Sequence, residues 1–115
     1  METSVERRGD VITVHISGSV DGLTAEGLQQ VFSSEVEAGH HNLVADFGEV
    51  DYTSSAGLRV LLGTVKHARS RGGDLRLASP HAEVLKVLDL SGFTSILSVF
   101  DTVDDAVASF GRHGT

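Results

Sequence analysis

Apolar residues along the chain follow two periods, which alternate from one segment to the next. Val11 to Ile16 alternates apolar and polar residues and is rich in β-branched side chains, which predicts a strand. Between Leu28 and Val36 the apolar residues recur at helical spacing instead, with Thr24 as the predicted N-cap and Gly39 as the predicted stop. The pattern therefore indicates that strands alternate with helices.

The same alternation continues to the end of the chain, after a short first strand that turns back at Arg7 to Asp10. The predicted order is β, β, α, β, α, β, α, β, α. The later strands are predicted at Asn42–Phe47, Leu75–Ala78 and Ile96–Phe100. The later helices are predicted from Leu58 to a stop at Gly72 or Gly73, from Pro80 to Gly92, and from a cap at Thr102 along the stripe Val103, Ala106, Val107 and Phe110.

This order predicts a mostly parallel sheet with right-handed crossovers. In such sheets functional groups collect at the carboxyl ends of the strands. Two predicted loops lie at that edge, residues 17–24 after the second strand and residues 48–55 after the third. We expect the functional site in one or both of them.

Composition narrows the class of protein. A chain of 115 residues with 40% hydrophobic content fits a single domain over residues 1–115. The formal charge of −7 disfavours nucleic acid and anionic membrane as partners. No cysteine is present, and neither a signal peptide nor an apolar run near the roughly 20 residues of a membrane span is visible. We expect a cytoplasmic protein without a metal or other cofactor.

Two adjacent serines, Ser54 and Ser55, fall where the helix after the third predicted strand begins. A serine at such a position ordinarily caps the helix, which is worth about 1 kcal/mol. The free N–H groups and the helix dipole also make the same position receptive to a phosphoryl group. Asp21, Glu49 and Asp51 make the surrounding rim acidic, so that a phosphate would change how a partner packs there.

A nucleophilic serine is the enzymatic alternative. The nucleophile elbow of hydrolases has the pattern Gly-x-Ser-x-Gly, which requires a glycine two residues before the serine. Tyr52 stands at that position before Ser54 and Thr53 before Ser55, so a nucleophilic serine is disfavoured. A general base would have to be His67, His81 or His113, and His67 lies about three turns along the same helix. We expect no catalytic residue, and we expect the histidines to lie solvated at the surface with no spacing typical of a metal site.

Three segments of the chain, GSVDGLTA, LVADFGEVDYTSSAGLRVLL and GGDLRLASPHAEVLKVLDLSGF, resemble the STAS domain of bacterial anti-sigma factor antagonists. The resemblance covers nearly the whole chain. It implies an α/β single domain with a mixed, mostly parallel sheet of four to five strands and four main helices.

In that family the usual pattern around the site is Asp-Ser-Ser/Thr-Gly-Leu, and the serine directly after the aspartate is phosphorylated. Aligned on Gly57, the resemblance implies phosphorylation of Ser55, with Ser54 in place of the aspartate and Ala56 in place of the second hydroxyl residue. Ser54 is the second choice as acceptor. Asp21 matches an acidic loop residue that lies beside the phosphoserine and helps to engage the partner.

The resemblance further implies a partner switch. The unphosphorylated chain would bind an anti-sigma factor with serine kinase activity and a histidine-kinase-like ATPase fold, and a metal-dependent serine phosphatase would reset the phosphorylated form. The partner surface would comprise Asp21, Ser54, Ser55, Ala56, Gly57, Leu58, Arg59 and Leu62. Leu58 and Leu62 fit a place in the core equally well. The alternative is a STAS module that binds a ligand or serves as a scaffold for another output.

Overall fold

A computed structural model describes residues 1–111 of the chain. It contains five strands, four α-helices and one short 3-10 helix, in the order that the sequence predicts. The strands are β1 Glu2–Arg8, β2 Val11–Val20, β3 Asn42–Thr53, β4 Asp74–Ala78 and β5 Val99–Phe100. The helices are α1 Ala25–Glu37, α2 Ser55–Ser70, α3 Ala82–Leu90 and α4 Val103–Phe110, with the 3-10 helix at Phe93–Ser95.

The strands form one sheet in the order β1-β2-β3-β4-β5. β1 pairs with β2 in the antiparallel sense, and the other three pairs are parallel. The mixed, mostly parallel sheet with four main helices is therefore confirmed. Parallel pairing places the carboxyl ends of β2 and β3 side by side, with Val20 opposite Thr53.

Helices cover the two faces of this sheet unequally. Successive residues of a strand point to opposite faces, so neighbours such as Leu43 and Val44 belong to two different apolar clusters. The larger cluster joins one face of the sheet to α1, α2 and α3, and the smaller one joins the other face to α4. The predicted stripe of α4 is confirmed, because its residues pack in the smaller cluster.

The helices end where the sequence predicts stops. α1 and α3 end just before Gly39 and Gly92, whose positive φ values of 97° and 77° are readily adopted by glycine. After α2 it is Gly72 that takes the left-handed conformation, with φ of 85°. The next residue, Gly73, is needed for close approach, since an added Cβ would lie 2.0 Å from the carbonyl oxygen of His41.

Two predicted strand ends are wrong. β2 and β3 continue to Val20 and Thr53, so most of the two predicted loops is paired strand. Register irregularities between His15 and Ser17, and between Gly18 and Ser19, allow the pairing to continue past the glycines. Glycine and acidic residues predict loops locally, but cross-strand pairing outweighs that preference here.

The last predicted strand, Ile96–Phe100, is also too long. Only Val99 and Phe100 pair with β4. The preceding segment is a 3-10 turn followed by Leu97, which is 2% exposed and belongs to the larger apolar cluster. An apolar run this short does not distinguish a strand from a core-packing turn.

Candidate functional site

The start of α2 is attached directly to the end of β2. The backbone N–H of Ser54 donates to the carbonyl oxygen of Val20 at 2.8 Å, which continues the sheet pairing by one step. Ser54 is the N-cap, and its Oγ accepts from the N–H of Gly57 at 3.4 Å. The predicted position of the serines at the helix N-terminus is confirmed.

Gly57 allows this first turn to lie against the sheet. A Cβ added there would come 2.4 Å from Thr53 Oγ1 and 2.9 Å from Val20 Cγ1, both closer than real Cβ contacts. Val20 is fully buried and belongs to the core. Gly57 therefore positions the serines, and its place in a partner surface stays a prediction.

The two serines differ in environment. Ser54 is half-buried and its hydroxyl is engaged in the cap, whereas Ser55 is exposed and its hydroxyl makes no hydrogen bond within residues 1–111. The backbone N–H groups of Ser55 and Ala56 also have no acceptor in that part of the chain. Thr53, the neighbouring hydroxyl residue, is 6% exposed and points its Oγ1 toward the carbonyl oxygen of Ser54.

Asp21 lies at the end of β2, beside this helix start, and organises the turn into α1. Its Oδ1 accepts from the N–H groups of Leu23 and Thr24 at 2.9 and 3.1 Å, and these bonds lower the pKa of the Asp21 carboxyl. Thr24, predicted as the cap, makes no side-chain cap. Its Oγ1 instead accepts from the N–H of Asp21 and donates to the carbonyl oxygen of Ser19. Asp21 therefore has a structural role of its own.

The charged groups around the site are mostly acidic. Glu49 and Asp51 are exposed, and Asp51 accepts a hydrogen bond from the Ser19 hydroxyl at 3.0 Å. Arg59 is the exception. It is exposed, lies one helical turn after Ser55 and forms no salt bridge with residues 1–111.

The predicted partner residues on α2 separate into two groups. Leu58 is 8% exposed and packs in the larger core cluster, which is the alternative place that its sequence position allows, and its contact with a partner stays a prediction. Leu62 is half-buried. Ala56 and Arg59 line an open groove of about 840 Å³ between α1 and α2.

Sequence patterns did not single out a second groove at the same edge. It has a volume of about 430 Å³ and lies between the end of β3 and α3. Tyr52 and Leu90, 54% and 79% exposed, supply apolar surface to it. Tyr52 falls in a segment predicted as a loop. The helical period of α3 places Leu90 about 200° around the helix from buried Leu88, and that spacing could have identified it as exposed.

The histidines are more engaged than predicted. His15 Nδ1 lies 2.6 Å from Asp46 Oδ2 and His15 Nε2 lies 2.9 Å from Glu6 Oε1, so the ring bridges β3 and β1. His67 contacts a carboxylate of α1, and His81 Nε2 donates to the carbonyl oxygen of Gly48. None of these rings is hydrogen-bonded to a serine. His113, the third base considered above, lies outside the described residues.

Residues 1–111 were compared with the requirements of a metal site and of a membrane-spanning helix. They contain no group of three or more histidine, aspartate or glutamate side chains placed to hold a metal ion. Their longest helix, α2, has 16 residues, and no helix in this range combines the length and apolar character needed to cross a bilayer.

The sequence model of the STAS domain family matches residues 2–106, which include every strand and the start of α4. The chain belongs to the STAS domain family. BtrV of Bordetella bronchiseptica, provisionally named an anti-sigma factor antagonist, is 34% identical over 110 residues, 96% of this chain and 95% of BtrV. The anti-sigma-B factor antagonist of Bacillus subtilis is 27% identical over 86% of this chain and 90% of its own length.

Solved structures show the same fold. The crystal structure of a provisionally named anti-sigma factor antagonist from Thermotoga maritima superimposes with a TM-score of 0.91. The match covers 96% of this STAS chain and 95% of the other, at 23% identity. At that level of identity the likeness concerns the fold alone.

Proposed function

We propose that this STAS protein is an anti-sigma factor antagonist that is switched by phosphorylation of Ser55. Its unphosphorylated form binds an anti-sigma factor with serine kinase activity, and its phosphorylated form does not. The names of its relatives supply the functional class. The observation that carries the choice of residue is that the Ser55 hydroxyl is exposed and has no hydrogen-bond partner among residues 1–111, whereas that of Ser54 caps α2.

The surroundings of Ser55 suit a phosphate. The unpaired N–H groups of Ser55 and Ala56 and the positive end of the α2 dipole favour an anion at this position. Arg59 stands one turn further along and is available for a charge-assisted hydrogen bond to a phosphate oxygen. A phosphorylated Ser55 is therefore compatible with the helix that carries it.

The same phosphate opposes a bound partner. It adds about 1.5 to 2 negative charges at neutral pH to a rim where Glu49 and Asp51 are already exposed. A partner surface complementary to the uncharged serine would have to desolvate that charge, which weakens binding more readily than it strengthens it. We assign the docking surface to Asp21, Ser55, Ala56, Arg59 and Leu62, and we assign no catalytic residue.

The test is phosphorylation of the purified protein by anti-sigma factors of the kinase class from the same genome, with ATP, read as a mass shift. We expect wild type and Ser54→Ala to gain one phosphate and Ser55→Ala to gain none. Ser55→Asp should weaken binding of the same kinase at least about tenfold. Treatment with a metal-dependent serine phosphatase should return the wild-type protein to its original mass.

Ser54→Ala is the matched control, because it removes the neighbouring hydroxyl and costs about 1 kcal/mol of stability through the lost cap. Phosphorylation of Ser55→Ala to the full extent, with the phosphate on Ser54, would overturn the assignment of the acceptor. Equal binding of Ser55→Asp and wild type would overturn the switch.

The second candidate function is a ligand-binding STAS module. It is favoured by the groove between α1 and α2, whose volume of about 840 Å³ is within the range of small-molecule sites. A small molecule that co-purifies with the chain and binds Ser55→Asp as tightly as wild type would support it. Loss of kinase binding in Ser55→Asp without any bound molecule supports the antagonist instead.

A further inference from the structure

β1 forms one edge of the sheet. It pairs with β2 on one side, and within residues 1–111 no strand pairs with its other side. Six of its seven residues are exposed, and Val5, its central residue, is 46% exposed. An exposed strand of this length presents a row of unpaired backbone groups to which another strand can add.

The outward-facing backbone groups can be identified from the hairpin. Arg8 and Val11 close a turn formed by Gly9 and Asp10, and the closing pair of a two-residue turn is hydrogen-bonded. Hydrogen-bonded residues alternate along an antiparallel ladder. The outward N–H and carbonyl groups therefore belong to Thr3, Val5 and Arg7.

We propose that β1 pairs antiparallel with β1 of a second copy of this chain, around a two-fold axis at Val5. In this register Val5 faces Val5 of the second copy, and Thr3 faces Arg7 of the second copy. All three residues have outward-facing backbone groups, so in each of these pairs the N–H of one residue meets the carbonyl oxygen of the residue opposite. Glu2 then faces Arg8 of the second copy, which places opposite charges together at both ends of the paired strands.

Neighbouring registers are disfavoured by charge. Outward-facing backbone groups belong to alternate residues, so they meet again only when one strand slides by two residues relative to the other. A slide in one direction places Glu2 opposite Glu6 of the second copy. A slide in the other direction places Glu6 opposite Glu6 of the second copy. Charged residues on an edge strand ordinarily prevent pairing, but the order ETSVERR avoids opposing like charges when it is centred on Val5.

The paired form leaves the proposed switch accessible. Two five-stranded sheets become one continuous sheet, and the two-fold axis directs the carboxyl ends of β2 and β3 to opposite edges in the two copies. Each copy then keeps its own Ser55 exposed. Oligomeric state and phosphorylation are measured separately, so the pairing of β1 and the proposed function can fail independently of each other.

Crosslinking tests the register. The chain contains no cysteine, so Val5→Cys introduces a single thiol. Across the axis two such residues would have Cα atoms about 5.5 Å apart, within disulfide range. Glu2→Cys is the matched control on the same exposed strand, because the two copies of residue 2 would lie roughly 20 Å apart. We expect Val5→Cys to form the disulfide dimer at least about tenfold faster; a smaller ratio overturns the proposal.

Sedimentation velocity tests the same contact without oxidation. We expect wild type to pass from monomer to dimer as its concentration rises, and more readily at low salt because exposed ion pairs are screened. Val5→Pro removes one outward N–H without removing a bond to β2, and should shift the equilibrium toward monomer. A wild-type protein that stays monomeric at every concentration, or a folded Val5→Pro that dimerises like wild type, overturns the proposal.

Discussion

On one face of the sheet three helices cover a continuous apolar core, whereas on the other a single helix covers only part of the strands. The first core contains fully buried residues such as Leu28, Phe47 and Leu61. The second is small and is extended by polar contacts: Arg76 stacks on the Phe110 ring at 4.0 Å, and Arg8 bonds to Asp104 at 2.7 Å.

The uncovered part of the second face is polar. His15 and Asp46 lie there, continuing the strand positions of buried Val11 and Val44. Thr13, between Val11 and His15, is 1% exposed, and its hydroxyl has no partner among the described residues. The first face therefore supports the start of α2 with a packed apolar core, whereas the second is held partly by charged contacts, and we expect its stability to depend more on pH and salt.

The largest expected effect is the difference in unfolding free energy lost when one valine on each face is replaced by alanine. Val65→Ala on α2 removes methyl groups from a site that is 2% exposed, and should cost about 2 kcal/mol of unfolding free energy, including the cavity left behind. Val107→Ala on α4 changes a half-buried side chain and should cost less than about 1 kcal/mol. Urea unfolding measures both. Equal losses would show that the two faces contribute alike.

Two glycines of α2 sharpen the role of the first face. Gly57→Ala would drive a Cβ against Thr53 and Val20, and should cost about 1 to 3 kcal/mol and slow phosphorylation of Ser55. Gly63→Ala is the control, since its Cβ would meet nothing within 4 Å, and it should stabilise the helix by about 0.5 to 1 kcal/mol. Unfolding and phosphorylation rates of the two variants provide the measurement. If Gly57→Ala left both stability and phosphorylation unchanged, the close approach of α2 to Thr53 and Val20 would not require glycine at this position.

The smallest expected effect concerns the pH dependence of the second face. Hydrogen bonds that the His15 ring donates, to Asp46 first and to Glu6 second, raise the pKa of His15 above its ordinary value of 6.5. Glu2 and Glu49 line a small pocket together with His15 and Asp46, and they carry further negative charge there. A raised pKa means that protonated His15 stabilises the fold below about pH 6.5, and that this contribution is lost as pH rises through the folded value.

Nuclear magnetic resonance titration of the His15 ring measures this directly. We expect a midpoint above 6.5 in the wild-type protein and a lower one in Asp46→Asn, which removes the largest cause of the shift. The stability advantage of wild type over His15→Gln should shrink as pH rises above about 6.5. A wild-type midpoint at or below 6.5 would contradict the bridge between β1 and β3.

Much of the fold was predictable because it depends on local periodicity. The amphipathic stripes of α1 and α4 and the glycines that follow the helices fixed the element order without tertiary information. The ends of β2 and β3 were not predictable, because Gly18 and Gly48 favour a loop. Pairing around them, of Ser17 with Glu49 and of Gly18 with Val50, retains both segments in the sheet. The same limit applies to Leu58, whose burial depends on how α2 lies against the sheet.

The family pattern and the position of Ser54 and Ser55 at the start of a helix can be read from the chain alone, because capping and hydrophobic period are properties of neighbouring residues. Which hydroxyl is engaged and which is exposed depends on tertiary contacts. These contacts require β2 and β3 to end side by side, so that the carbonyl oxygen of Val20 accepts from the backbone N–H of Ser54 and Gly57 lies against both strands. Contacts between residues distant in the chain have no signature in local sequence, and they distinguish the two serines here.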